Sequence, residues 1–189
     1  STSIRWPEGL ALIFDMDGVI IDSTDLHTVA WERYLASIGV NGNGIMQRML
    51  GKRNDQIVRD LFGDALPQAE VDHHGAAKEA LYRELMAPVF DRHLVPGVAD
   101  FVRQAAAAGL PLGLGTNAEP RNVEFVLHHA GLAGLFRAIV DGHQASRPKP
   151  DPEIYLEVAR RLGVPPANCI IFEDSPGGMA AARAAGARL

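Results

Sequence analysis

A doubly wound α/β fold, a parallel sheet with helices on both faces, is predicted by three features of this 189-residue sequence. Short apolar runs recur at intervals. Helical patterns, most of them closed by a glycine, separate the later runs. One long segment, 24–92, carries helical patterning alone and interrupts the alternation. Taken in order, Leu10–Phe14 is the first apolar run, of a kind that suits a strand buried on both faces. Segment 24–92 follows, with helical stretches predicted at Leu26–Ile38, Gly44–Met49, Asp55–Phe62 and Val71–Met86, bracketed on its return by Pro88 and Pro96. It reads as a small helical cap inserted over the sheet, leaving 1–23 and 93–189 as the α/β core. From residue 96 onward strand and helix alternate. The strands are Leu110–Gly115, Arg137–Val140 and Cys169–Phe172; the helices are Gly97–Ala108, Glu119–Ala130, Asp151–Leu162 and Pro176–Ala185. Gly109, Gly131, Gly163 and Gly186 stand where glycine commonly stops a helix. By this rhythm another strand is due after Gly186, so the core is expected to lack its last strand.

Composition narrows the class. Apolar residues make up 47% and charged residues 22%, the profile of a folded globular chain. A net charge of −5 without a basic stripe argues against nucleic acid as a partner. There is no long apolar run to span a membrane and no leader pattern, and the single cysteine, Cys169, cannot form an internal disulfide; the expected location is cytoplasmic.

Each predicted strand but Arg137–Val140 ends in side chains able to do chemistry: Asp15 and Asp17 after the first, Thr116 and Asn117 after the second, Glu173 and Asp174 after the last. Parallel neighbouring strands would turn all six toward the crevice at their carboxyl ends. Lys149 lies in Arg147-Pro148-Lys149-Pro150, where flanking prolines stiffen the loop. Four carboxylates in one pocket repel one another, and a hard dication relieves this. Oxygen donors without nearby Cys or His favour Mg²⁺ over Zn²⁺, and Mg²⁺ readily shares its shell with a substrate phosphate. The expected partner is thus a small phosphorylated molecule.

These residues resemble the motifs of the haloacid dehalogenase-like superfamily. Asp15-Met16-Asp17-Gly18-Val19 is similar to its first motif, Thr116-Asn117 to its second, Lys149 to its third and Glu173-Asp174-Ser175 to its fourth. The insert between the first two resembles the cap of the branch holding phosphoglycolate phosphatase, sugar-phosphate phosphatases and beta-phosphoglucomutase. The resemblance implies that Asp15 attacks phosphorus, that Asp17 is the general acid and base, and that Thr116 and Lys149 bind the transferring phosphoryl oxygens. It also implies that Asp15, the backbone carbonyl of Asp17, and Asp174 hold Mg²⁺ with Glu173 assisting. Asp17 favours phosphate esters over halides, because an alkoxide leaving group needs a proton and a halide does not.

His27, Gly51, Lys52, Arg53 and Asn117 are the candidate substrate contacts. In beta-phosphoglucomutase the cap loop carries a lysine just before a glycine and an arginine three residues after it. Set by Gly51, those positions here are Leu50 and Asn54, with the cations displaced to Lys52 and Arg53. The departure favours a phosphatase acting on a sugar or polyol phosphate; a phosphosugar mutase and a non-catalytic protein on the same fold are the alternatives. His73-His74 and His128-His129 read as solvated helix surface, since adjacent helical residues point about 100° apart and chelate poorly.

Overall fold

A computed structural model describes residues 6–189. Four strands, β1 (Ala11–Phe14), β2 (Leu112–Gly115), β3 (Ala138–Val140) and β4 (Cys169–Phe172), form one parallel sheet in the order β3-β2-β1-β4. Nine α-helices are found among the described residues. They are α1 (Thr24–Ser37), α2 (Ile45–Met49), α3 (Asn54–Phe62), α4 (Gln68–Met86), α5 (Phe90–His93), α6 (Val98–Ala107), α7 (Pro120–His129), α8 (Glu153–Leu162) and α9 (Pro176–Ala184). The described residues divide into two compact units, 6–21 with 94–189, and 22–93.

In the sheet unit the period of two along each strand sorts side chains by face. Ala11 and Ile13 join Ala138, Val140, Cys169 and Ile171 beneath α8 and α9, packed on Tyr155, Val158, Ala181 and Ala182. Phe14 points the other way, stacked on Phe172 at 4.7 Å between ring centroids and edge-on to Phe101 of α6 at 6.2 Å. Helices therefore cover both faces, and this is why the strands read as unbroken apolar runs. Strand β2 divides its residues sharply: Leu112 and Leu114 are buried on one side, while Gly113 and Gly115 lie under α8, where a Cβ would run into Val158 and Tyr155. The two glycines let the helix seat close to the strand. Beyond the four strands, Arg188 makes a parallel bridge to Ile170, its N–H donating to the Cys169 carbonyl at 3.0 Å.

The helical unit packs Trp31, Tyr34 and Leu35 of α1 against Ile45, Met49, Ile57, Val58 and Val71. His74 departs from the expectation of a solvated pair: its ring stacks on Phe62 at 4.3 Å and its Nδ1 meets the Tyr34 hydroxyl at 2.6 Å. His128 and His129 are exposed.

Candidate active site

Parallel strands bring their carboxyl ends together, and here three neighbouring ends deliver the motif residues. Asp15 follows β1, its N–H donating to the Phe172 carbonyl at 3.0 Å; Thr116 follows β2, its N–H donating to the Val140 carbonyl at 3.0 Å. Glu173 and Asp174 follow β4. Asp15, Glu173 and Asp174 each present a carboxylate oxygen, all within 4.8 Å of one another. Asp17 is half-buried, with backbone bridged to Ile21, and its charge acts on Asp15.

Lys149 points inward and is 7% exposed. An ammonium has three protons to donate. All three have acceptors: the Gly115 carbonyl at 3.1 Å, Glu173 Oε1 at 2.6 Å and Asp15 Oδ1 at 3.0 Å. The face of Tyr155 lies 4.7 Å from Nζ.

The Glu173 side chain is fully buried and filled with donors. Oε1 accepts from Lys149 and from the Tyr155 hydroxyl at 2.7 Å; Oε2 accepts from the Ser175 N–H and Oγ, both at 3.0 Å. A carboxylate offers about four lone-pair sites, so these four bonds saturate it. Glu173 enters the cluster as the anchor of Lys149, and with Asp15 and Asp174 it is one of the three carboxylates close enough together to hold a metal ion. Ser175 is also the N-cap of α9, its Oγ accepting from the Gly178 N–H at 3.0 Å.

Two glycines wall in the acids. A Cβ at Gly18, whose φ is +81°, would fall on the Asp174 carboxylate, and a Cβ at Gly178 would fall on the Glu173 carboxylate. Each acid therefore leans on bare backbone.

The electrostatics follow from this crowding. Burial pushes the Asp15 carboxyl up to about 8; Lys149 pulls it down, and the charges of Glu173 and Asp17 raise it again. Burial and the Glu173 charge also raise Asp174. For Glu173 burial acts upward too, but the charge and hydrogen bond of Lys149, with the bonds from Tyr155 and Ser175, hold it below the usual carboxylate value. An acid pushed that high beside other acids is a set of oxygens that gains from a hard dication. The residues present therefore fit the metal that the sequence implies, with Asp15, Glu173 and Asp174 as the gathered carboxylates.

Thr116 is buried and its Oγ1 accepts from the Ala118 N–H at 3.1 Å. Next to it, Asn117 Oδ1 is buried and has no hydrogen-bond partner among the described residues.

The remaining candidates lie in the helical unit and pair with other residues of that unit. His27 stacks on Tyr82 at 3.8 Å, and its Nδ1 accepts from Lys78 Nζ at 2.7 Å. Gly51 (φ +73°) opens the turn between α2 and α3, Lys52 pairs with Asp60, and Arg53 forks onto Asp55 at 3.2 and 3.0 Å. The sequence reading missed Lys78 and Glu79, both buried in α4, where Lys78 donates to Glu79 Oε1 at 2.8 Å and Asn54 Nδ2 donates to the same oxygen at 2.6 Å. Two adjacent charges on a helix look solvated; only the position of Tyr82 one turn on hinted that this face turns inward. Tyr155 was missed too, because it occupies an apolar position of α8 and its hydroxyl leaves no mark on the pattern.

A family profile for haloacid dehalogenase-like hydrolases matches residues 10–186. The chain belongs to the haloacid dehalogenase-like hydrolases. Fructose-1-phosphate phosphatase YqaB of Escherichia coli (strain K12) is 35% identical over 181 residues, covering 93% of this chain and 92% of that one. Beta-phosphoglucomutase of Bacillus subtilis (strain 168) is 31% identical over 186 residues, covering 93% and 80%. Among solved structures, CbbY of Rhodobacter sphaeroides in complex with xylulose-(1,5)bisphosphate matches with a TM-score of 0.82 at 28% identity, covering 94% of this chain and 83% of that one. This hydrolase is thus an enzyme of a family whose named relatives act on sugar phosphates. No helix among its described residues is long and apolar enough to cross a membrane.

Proposed function

We propose that this hydrolase is a Mg²⁺-dependent phosphatase of a small sugar or polyol phosphate, working through an aspartyl phosphate on Asp15. The observation that carries the reading is the buried Lys149 set 3.0 Å from Asp15 amid a cluster of carboxylates. Asp15 attacks phosphorus and the P–O ester bond breaks, while Asp17 gives its proton to the departing alkoxide. Water then attacks the aspartyl phosphate, Asp17 takes the water's proton, and phosphate leaves with Asp15 restored. Thr116 and Lys149 hold the transferring oxygens in place. Asp15, Asp174 and the backbone carbonyl of Asp17 would hold Mg²⁺ with Glu173 assisting, and the metal would supply charge neutralisation for nucleophile and phosphoryl group when bound.

Hydrolysis rather than transfer to a second sugar hydroxyl is favoured by the helical unit. The two positions at which a mutase carries a lysine and an arginine are Leu50, which is exposed, and Asn54, which is tied to the carboxylate of Glu79. A cation there would grip a second phosphate; an amide bonded to an acid does not. His27, Gly51, Lys52, Arg53 and Asn117 remain the proposed contacts for the rest of the substrate.

The test is phosphate release from a panel of hexose and polyol phosphates with and without Mg²⁺, including fructose 1-phosphate. The wild type releases phosphate only with the metal, and Asp15→Asn abolishes release. Conversion of beta-glucose 1-phosphate to the 6-phosphate without net phosphate would overturn the choice of hydrolysis. No turnover of any phosphate ester would overturn the enzyme reading of this site.

A further inference from the structure

Tyr155 is a polar atom placed at a cost. Its side chain is 1% exposed, and it lies in α8 among Ile13, Val140, Ile154, Val158 and Ile171. Its ring rests on Gly115, where a Cβ would stand 3.1 Å from a ring carbon. Phenylalanine would fill this space equally well, and burying a hydroxyl is unfavourable unless it is hydrogen-bonded. Among the described residues the hydroxyl has one hydrogen-bond partner, Glu173 Oε1 at 2.7 Å. That oxygen is also the one on which Lys149 sits, at 2.6 Å. Burial keeps the phenol protonated well past the ordinary range, so the oxygen–hydrogen bond is always there to donate.

On the reading of the site given above, we propose that Tyr155 is a positioning residue for phosphoryl transfer. Its hydroxyl shares Glu173 Oε1 with Lys149, and this sets where the ammonium stands and how much of its charge is left for the phosphoryl oxygens. The counting makes the role specific. Lys149 has three protons and three acceptors, two of them oxygens of acidic side chains. To hold a phosphoryl oxygen it must turn from one of these. With Tyr155 donating to the same Oε1, part of the Glu173 charge is answered by the phenol, and Lys149 is held less tightly on that side. Without the hydroxyl, Lys149 is the sole donor to Oε1; it is drawn toward Glu173 and away from Asp15. The ring meanwhile keeps its place beneath Nζ at 4.7 Å, so Tyr155→Phe removes this one bond and spares the packing.

The experiment is a kinetic cycle with wild type, Tyr155→Phe, Lys149→Arg and the double variant, measuring Mg²⁺-dependent phosphate release from fructose 1-phosphate or another ester the wild type turns over. Inhibition by orthovanadate, which mimics the transferring group without turnover, is measured alongside. Tyr155→Phe is expected to lower kcat about tenfold, the scale of one hydrogen bond to a charged group. Orthovanadate inhibition weakens in parallel and the melting temperature holds. In the Lys149→Arg background the same change costs less than about twofold, because the group through which Tyr155 acts is gone. A kcat for Tyr155→Phe within about twofold of wild type, unchanged orthovanadate inhibition, or equal losses in both backgrounds would each overturn the role and leave the phosphatase reading standing. A wild type inactive toward every ester would overturn that reading, and this role with it.

Discussion

Two adjacent glycines in the first turn of α9 allow the anchoring of Lys149 to be tested without touching a charged residue. A Cβ at Gly177 meets nothing within 4 Å, while a Cβ at Gly178 falls on the carboxylate of Glu173. Neither glycine has a left-handed φ, so backbone strain is equal in the two and only the contact differs. Alanine in place of helical glycine stabilises by about 0.5–1 kcal/mol, which raises the melting temperature of a chain of this size by about 2–4 °C per kcal/mol. Gly177→Ala shows that gain. Gly178→Ala has the same propensity gain but must push Glu173 off its four donors. Hydrogen bonds to charged groups contribute about 1.5–3 kcal/mol each, so losing two of the four leaves a net loss of about 3 kcal/mol and a fall of roughly 6–12 °C. With its anchor displaced, Lys149 moves on the scale of an ångström, a shift that costs about a hundredfold in rate. Differential scanning calorimetry and Mg²⁺-dependent phosphate release measure the two effects. If Gly178→Ala melts and turns over like Gly177→Ala, Glu173 does not hold Lys149 in the way described.

Further outcomes follow from the buried acids. Asp15 rises from 3.8 to about 8 on folding, so the folded state holds its proton more tightly, and without metal stability declines as pH rises through that window. Mg²⁺ competes with this proton; its affinity therefore climbs as pH rises toward about 8 and then levels, with proton release visible by calorimetry in buffers of different ionisation heat. Glu79 moves oppositely. Burial would raise it, but Lys78, His27 and Asn54 hold it at about 2 instead of 4.5, so its contribution is complete above pH 4.5 and is lost as pH falls toward 2. Fluorescence of Trp31, whose ring lies 5.3 Å from Lys78 Nζ, follows that loss, and Glu79→Gln destabilises the helical unit at pH 7 by about 3 kcal/mol by leaving Lys78 buried without its anion.

The strands were legible because burial on both faces writes an unbroken apolar run: Cys169–Phe172 matches its strand residue for residue, and Leu10–Phe14 is long by one. Helix starts drifted by one to three residues, except at Pro176, which is exact. Val71, for example, is the first apolar position of α4, but the helix begins at Gln68 after Pro67, in a turn whose residues carry no apolar signal. The acids were legible for a different reason. They sit at strand ends, where topology alone makes neighbours of residues more than a hundred positions apart, while Lys149 was marked by the prolines on either side of it.

What pattern does not carry is the inward polar atom. Lys78 and Glu79 are written as charges and are buried because each answers the other. His74 is written as surface and is half-buried because Phe62 and Tyr34 receive it. In each case the partner lies on a different helix or is itself a charge, so no periodicity within one segment can reveal it. Tyr155 is the extreme form. Its ring obeys the apolar period of α8 in full, and the one atom that departs from that period is bonded to the carboxylate holding Lys149. A pattern-based reading finds the groups that act on a substrate, because their chemistry is unusual. It passes over the groups that hold those in place, because each satisfies an ordinary rule of packing first and does its work with a single remaining hydrogen bond.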